Sequence, residues 1–162
     1  MRLLSLVLIL FSVSCVSKIQ TKQIFSLSEV ESYKKEGTAT VKGQLFSRTN
    51  SGDVKSGAGV AVNLIPMTPY FIERAEIIYK KCATTDPLNE EAKKYVRTVL
   101  ADLQGNYIFE KVPTGKYFVN SILTWNVASQ YGLVATGSRK LAEIEVKDGE
   151  TINVNLTDNC VR

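Results

Sequence analysis

The chain has 162 residues, with 20 Lys and Arg against 16 Asp and Glu, 3 Cys, 1 Trp and no His. That length suits one domain with a real core, and 44% hydrophobic with 22% charged residues is globular composition, neither disordered nor multi-span. Without histidine there is no Ser-His-Asp or Cys-His nucleophile and no histidine metal site. A net charge of +4 is too small to point to nucleic acid.

Arg2 precedes an apolar run, Leu3 to Phe11, broken by Ser5. The run is shorter than the ~20 residues a membrane-spanning helix needs and reads as the core of a secretory signal peptide. Ser12 and Ser14, small at alternate positions, suit ordinary signal peptidase, which would release a secreted protein without lipid; they also lead directly to Cys15. This resembles a bacterial lipobox, although Ser12 stands where that motif carries an aliphatic residue. The resemblance implies removal of residues 1–14 and acylation of Cys15, with membrane lipid as partner. Three Cys then resolve into one lipid attachment and a Cys82–Cys160 pair, expected as a disulfide in an oxidising compartment. Val16 follows the cysteine in place of an inner-membrane Asp signal, so the expectation is an envelope lipoprotein of the outer membrane.

Residues 16–25 are polar and patternless, a spacer. Ser26-Leu27-Ser28-Glu29 has capping-box spacing with Phe25 and Val30 as a hydrophobic staple, predicting a short helix over about 27–35 that Gly37 ends. Residues 15–37 are thus read as a tether. From Thr38 the period becomes two: Ala39, Val41, Gly43 and Leu45 share a face. A Gly/Ser/Asn/Asp loop spans 48–59, and Val60, Val62 and Leu64 form a second strand closed by Pro66. Thr68-Pro69 then reads as a helix start. Phe71, Ile72, Ala75, Ile78 and Tyr79 make an apolar stripe, with Glu73, Arg74, Glu76 and Lys80 opposite. Asp86-Pro87 starts a second helix over about 87–94. Strand patterns resume at 95–102, 107–111, 116–124, 140–147 and 151–157, joined by Gln104-Gly105-Asn106, Pro113-Thr114-Gly115 and Asp148-Gly149-Glu150 turns.

Asp102-Leu-Gln-Gly105-Asn-Tyr107-Ile-Phe109, followed by Val112-Pro113-Thr-Gly115-Lys-Tyr117, resembles the centre of the carboxypeptidase regulatory-like domain. The resemblance extends over about 38–157. It implies a mainly β, seven-stranded, prealbumin/Ig-like Greek-key sandwich over residues 38–162. A two-helix insertion (about 67–94) would lie between the second and third strands. It also implies a non-catalytic module that binds or scaffolds, not an enzyme. Trp125, Tyr131 and Tyr70 are the aromatics available to stack on a glycan or enter an envelope partner's pocket. No phosphate loop, paired-carboxylate spacing or metal cluster is present, so no cofactor is expected.

Overall fold

The period-two segments pair into two sheets that face each other across one core. The computed structural model describes residues 18–49 and 51–161. Its strands are β1 (Lys18–Ile19), β2 (Ala39–Gln44), β3 (Phe46–Arg48), β4 (Val54–Ser56), β5 (Ala61–Pro66) and β6 (Thr84–Thr85). They continue with β7 (Arg97–Leu100), β8 (Asn106–Val112), β9 (Gly115–Ser129), β10 (Gly132–Val146), β11 (Thr151–Asn155) and β12 (Thr157–Val161). A 3-10 helix covers Leu27–Lys34. Helix α1 (Pro69–Ala75) runs into a π-turn over Glu76–Lys80, and α2 spans Glu90–Lys93.

The larger sheet has the order β12-β10-β9-β5-β7 and the smaller β11-β2-β8. Val41, Phe109 and Val154 from the smaller sheet meet Val62, Leu64, Val119 and Val146 from the larger. Each is almost fully buried, as alternation along a half-buried strand requires. Gly43 belongs to the inward set but leaves a gap. The Tyr107 ring lies across that gap and donates its hydroxyl to the Val154 carbonyl at 3.2 Å; a Cβ on Gly43 would sit 2.6 Å from that hydroxyl oxygen.

Phe118 has the opposite parity to Tyr117 and Val119, so it faces away from the sandwich. With Leu141 it packs beneath Ala75 and Tyr79 of the helical segment, which covers the reverse face of the larger sheet. Burial there pushes the Tyr79 hydroxyl up to about 12. Cys82 and Cys160 are disulfide-bonded, their Cα atoms 5.7 Å apart, and this ties the end of the π-turn to β12.

The structure departs from the sequence expectation in several places. Twelve strands among the described residues stand against the seven expected. The supposed loop 48–59 contributes to a small hairpin, β3–β4. Residues 125–129 and 132–139, expected to carry no element, are strand, because β9 and β10 stay paired from Gly115–Val146 out to Ser129–Gly132. The Ser26 capping box does not form: the Glu29 amide bonds the Ser26 carbonyl at 3.3 Å, and the Ser26 hydroxyl turns to Ser28. Helix α2 begins at Glu90 because Asn89, not Asp86, caps it, accepting from the Glu91 and Ala92 amides. Asp86 is engaged elsewhere, by Thr21, Thr85 and Arg74. Arg74 is consequently buried rather than solvated. Residues 18–25, expected as a spacer, are docked: β1 pairs with β6, the Lys22 and Gln23 amides donate to Glu73, and Phe25 packs against Tyr70.

Candidate binding groove

A sandwich of two open sheets leaves edges. On one side those edges are β7 of the larger sheet and β8 of the smaller, and a groove runs between them. One part has a volume of about 840 Å³ and reaches in to Leu64, Phe109 and Tyr117. The other, about 760 Å³, opens onto the outer face of the smaller sheet. Both are lined by Val99 and Ile108, so they are two ends of one depression. Ile108 is exposed because it lies between Tyr107 and Phe109, which take the inward positions.

Arg97 holds the two edges together. Its guanidinium donates to the Glu110 carbonyl at 2.6 Å and the Lys111 carbonyl at 3.4 Å, and lies 6.0 Å from the Phe109 ring centroid. At this end Tyr33 crosses Tyr117 edge-on, 5.2 Å between centroids, and donates to the Lys116 carbonyl. Gly115 permits that approach, since a Cβ there would lie 2.6 Å from the Tyr33 ring. Lys35, Lys94 and Lys111 line the same end. Lys94 is paired with Glu91 and Lys111 with Glu36, which lowers the net positive field.

At the other end the Asp102 turn fixes the groove wall. One Asp102 oxygen accepts from the Gln104 amide at 2.9 Å and the Asn106 amide at 2.8 Å. The Asn106 side chain and these amides hold the carboxyl below its usual range. Gly105 takes φ +84, the left-handed conformation the turn demands. Beside it, two cross-strand rows span β11, β2 and β8: Asn153 beside Lys42 beside Ile108, and Asn155 beside Gln44 beside Asn106. The Gln44 amide donates to the Gln104 carbonyl at 2.8 Å. Asp102 is shifted down, and burial pushes the Tyr117 hydroxyl up, so both move away from neutrality. The groove is equipped for hydrogen bonding and apolar contact.

Of the residues singled out by sequence, Cys82 and Cys160 are joined, and Cys15 lies outside the described residues. Tyr70 is 4% exposed, which removes it as a surface aromatic. It packs against Phe25 and Phe71, and its hydroxyl accepts from the Asn89 amide at 3.0 Å. Trp125 is half-buried on β9, and Tyr131 is 89% exposed in the β9–β10 turn. The groove was not anticipated. Its one sequence signal is Ile108, an apolar residue out of phase in a strand whose alternate positions are already aromatic.

No family model matches the chain, and no curated protein matches it. Among solved structures it is similar to a proposed carbohydrate binding protein from Pseudomonas aeruginosa. The TM-score is 0.73 at 23% identity, covering 82% of this chain and 96% of that one. At that identity the likeness establishes the fold: a mainly β protein with a sandwich-like arrangement of sheets.

Proposed function

We propose that this chain is a non-catalytic lipoprotein of the cell envelope, anchored in the outer membrane through acylated Cys15. Its prealbumin-like sandwich, of the carboxypeptidase regulatory-like kind, then serves as a carbohydrate-binding module. The observation that carries the reading is the β7–β8 groove. It combines an apolar strip at Val99 and Ile108 with amides at Gln44, Asn153 and Asn155. A sugar chain presents that same alternation of C–H faces and hydroxyls, and recognition requires a few polar groups placed around an apolar floor. The description of the similar Pseudomonas protein as proposed to bind carbohydrate agrees with this reading.

Titration of the protein with a panel of envelope and extracellular glycans, followed by calorimetry, tests the binding half. Asn153→Ala and Ile108→Asp should each weaken a bound glycan about tenfold, equivalent to about 1.4 kcal/mol. Binding unaffected by both changes would place the ligand elsewhere, and a blank panel would remove the carbohydrate reading. Labelled palmitate tests the anchor: incorporation should depend on Cys15 and vanish in Cys15→Ser.

A further inference from the structure

Strands β9 and β10 outrun the sandwich. Strand β5 leaves β9 at Ser121, and β12 leaves β10 at Ser138. Beyond those positions the described pairing is between β9 and β10 alone, ending in the turn around Tyr131. Eight residues of strand, from Ile122 to Ser129, give an arm of about 25 Å. From Tyr117 to Ser138 there is no Asp, Glu, Lys or Arg, in a chain that is 22% charged. Just behind the Ser129–Gly132 turn the arm carries one apolar cross-strand pair on each of its faces. Val127 pairs with Val134 on one and Ala128 with Leu133 on the other, and Leu133 is 75% exposed.

The described N-terminal segment begins near the root of this arm. Tyr33 lies against Tyr117, near the far end of β9, and Phe25 against Tyr70. Going back toward the N-terminus, Thr21 reaches Asp86, and Lys18 pairs with Thr84. Thr84 is two residues from Cys82, whose bridge ends at Cys160; Cys160 pairs with Arg139, opposite Ile122. Arg139 also donates to the Ile78 and Ala83 carbonyls, fixing this corner. Cys15 is three residues before Lys18, so chain length limits it to about 11 Å from that point.

We propose that the β9–β10 arm is a second membrane contact, its tip seated among lipid headgroups on the side where Cys15 is anchored. The inference rests on the acylated-Cys15 reading. Apolar pairs on both faces just behind the turn suit insertion between lipids, whereas a protein partner on one side would leave the other face uncovered. Exposed Tyr131 at the tip, with Trp125 further back, matches the amphipathic aromatics favoured at membrane interfaces. The open strand edges of a two-stranded ribbon exclude hydrocarbon depth, so the seat is interfacial, about 5–10 Å deep. Acyl chains and a shallow second contact together would hold the sandwich in one orientation and leave the β7–β8 groove facing its ligand.

The test uses protein beginning at Cys15, which keeps every element described and has one thiol outside the disulfide. Cys15 is coupled to a maleimide lipid in phosphatidylethanolamine–phosphatidylglycerol vesicles. Trp125 is the single Trp, so Tyr131→Trp in a Trp125→Phe background moves the only indole to the tip. Its emission should shift to the blue and lose most of its intensity to lipids brominated near the headgroup. Adding Leu133→Asp and Val134→Asp should return it to the solution spectrum with the tether intact. An unshifted, unquenched tip indole in the tethered protein overturns the proposal. So does a shift that appears without vesicles as protein concentration rises, which would make a second copy the occupant. Because the tether is supplied chemically, failure here counts against the arm alone, while failure of palmitate labelling counts against the anchor.

Discussion

Lys140 is 2% exposed inside a sandwich, and one carboxylate accounts for it. Opposite it on β12, Asp158 accepts from the ammonium, and Ser47 and Ser138 close the polar cluster. Burial by itself would lift the Asp158 carboxyl. Hydrogen bonds from Lys140 and Ser138, with the Lys140 charge, outweigh that and hold it below the usual carboxylate range. Asp158→Ala leaves a buried ammonium with only the water admitted where the 37% exposed carboxylate stood, and should cost about 1–2 kcal/mol in urea denaturation, with Lys140→Met costing less. A folded pKa below the unfolded value, about 3.9, means the contribution is whole above about pH 4 and fades as pH falls through the folded value. The native protein should accordingly lose more stability than Asp158→Ala between about pH 5 and pH 2. Sequence could not reveal this pair. Arg139-Lys140 reads as a charged strand entry until a strand eighteen residues on supplies the counter-ion.

Among elements, the helical segment depends most on distant tethers. Ala75 and Tyr79 pack on Phe118 and Leu141, and the Cys82–Cys160 bridge closes a loop with a sequence separation of 78. In the chain-entropy view that bridge contributes about 4.5 kcal/mol. Cys82→Ser/Cys160→Ser should lower the unfolding free energy by roughly that amount. Hydrogen exchange should show amides of the π-turn losing protection before those of β9. A double variant as stable as the native protein would mean the Arg139 bonds to Ile78 and Ala83 hold the corner unaided. The helix and the pairing were legible, one from a stripe at helical spacing and the other from cysteine parity. The displaced second helix was not, because Asp86 caps nothing once Thr21 and Thr85 hydrogen-bond to its carboxylate.

For the whole molecule, the division between core and arm makes a clear prediction. The core clusters include nothing between Ser129 and Gly132, nor Val127, Leu133 or Val134. Replacing residues 126–135 with a tight turn should change stability by less than about 0.5 kcal/mol in thermal unfolding. If the groove and arm act as proposed, the shortened protein keeps glycan binding and loses vesicle contact. A large drop in stability would mean the arm braces the sandwich.

The sequence by itself determined what depends on near neighbours. Strand parity placed Val62, Leu64, Tyr107 and Phe109 inward, and the Asp102–Gly105 turn followed from a carboxylate and a residue able to take positive φ. Tertiary structure alone decided what depends on meetings between distant segments. Tyr70 is buried because Phe25 and Asn89 reach it, and Ile108 lines a groove because β7 and β8 are left as facing edges. The arm exists because β9 and β10 keep pairing after β5 and β12 have ended. Local periodicity reports which way a side chain points; it carries no record of what stands opposite, and burial, charge pairing and grooves are properties of that opposite surface.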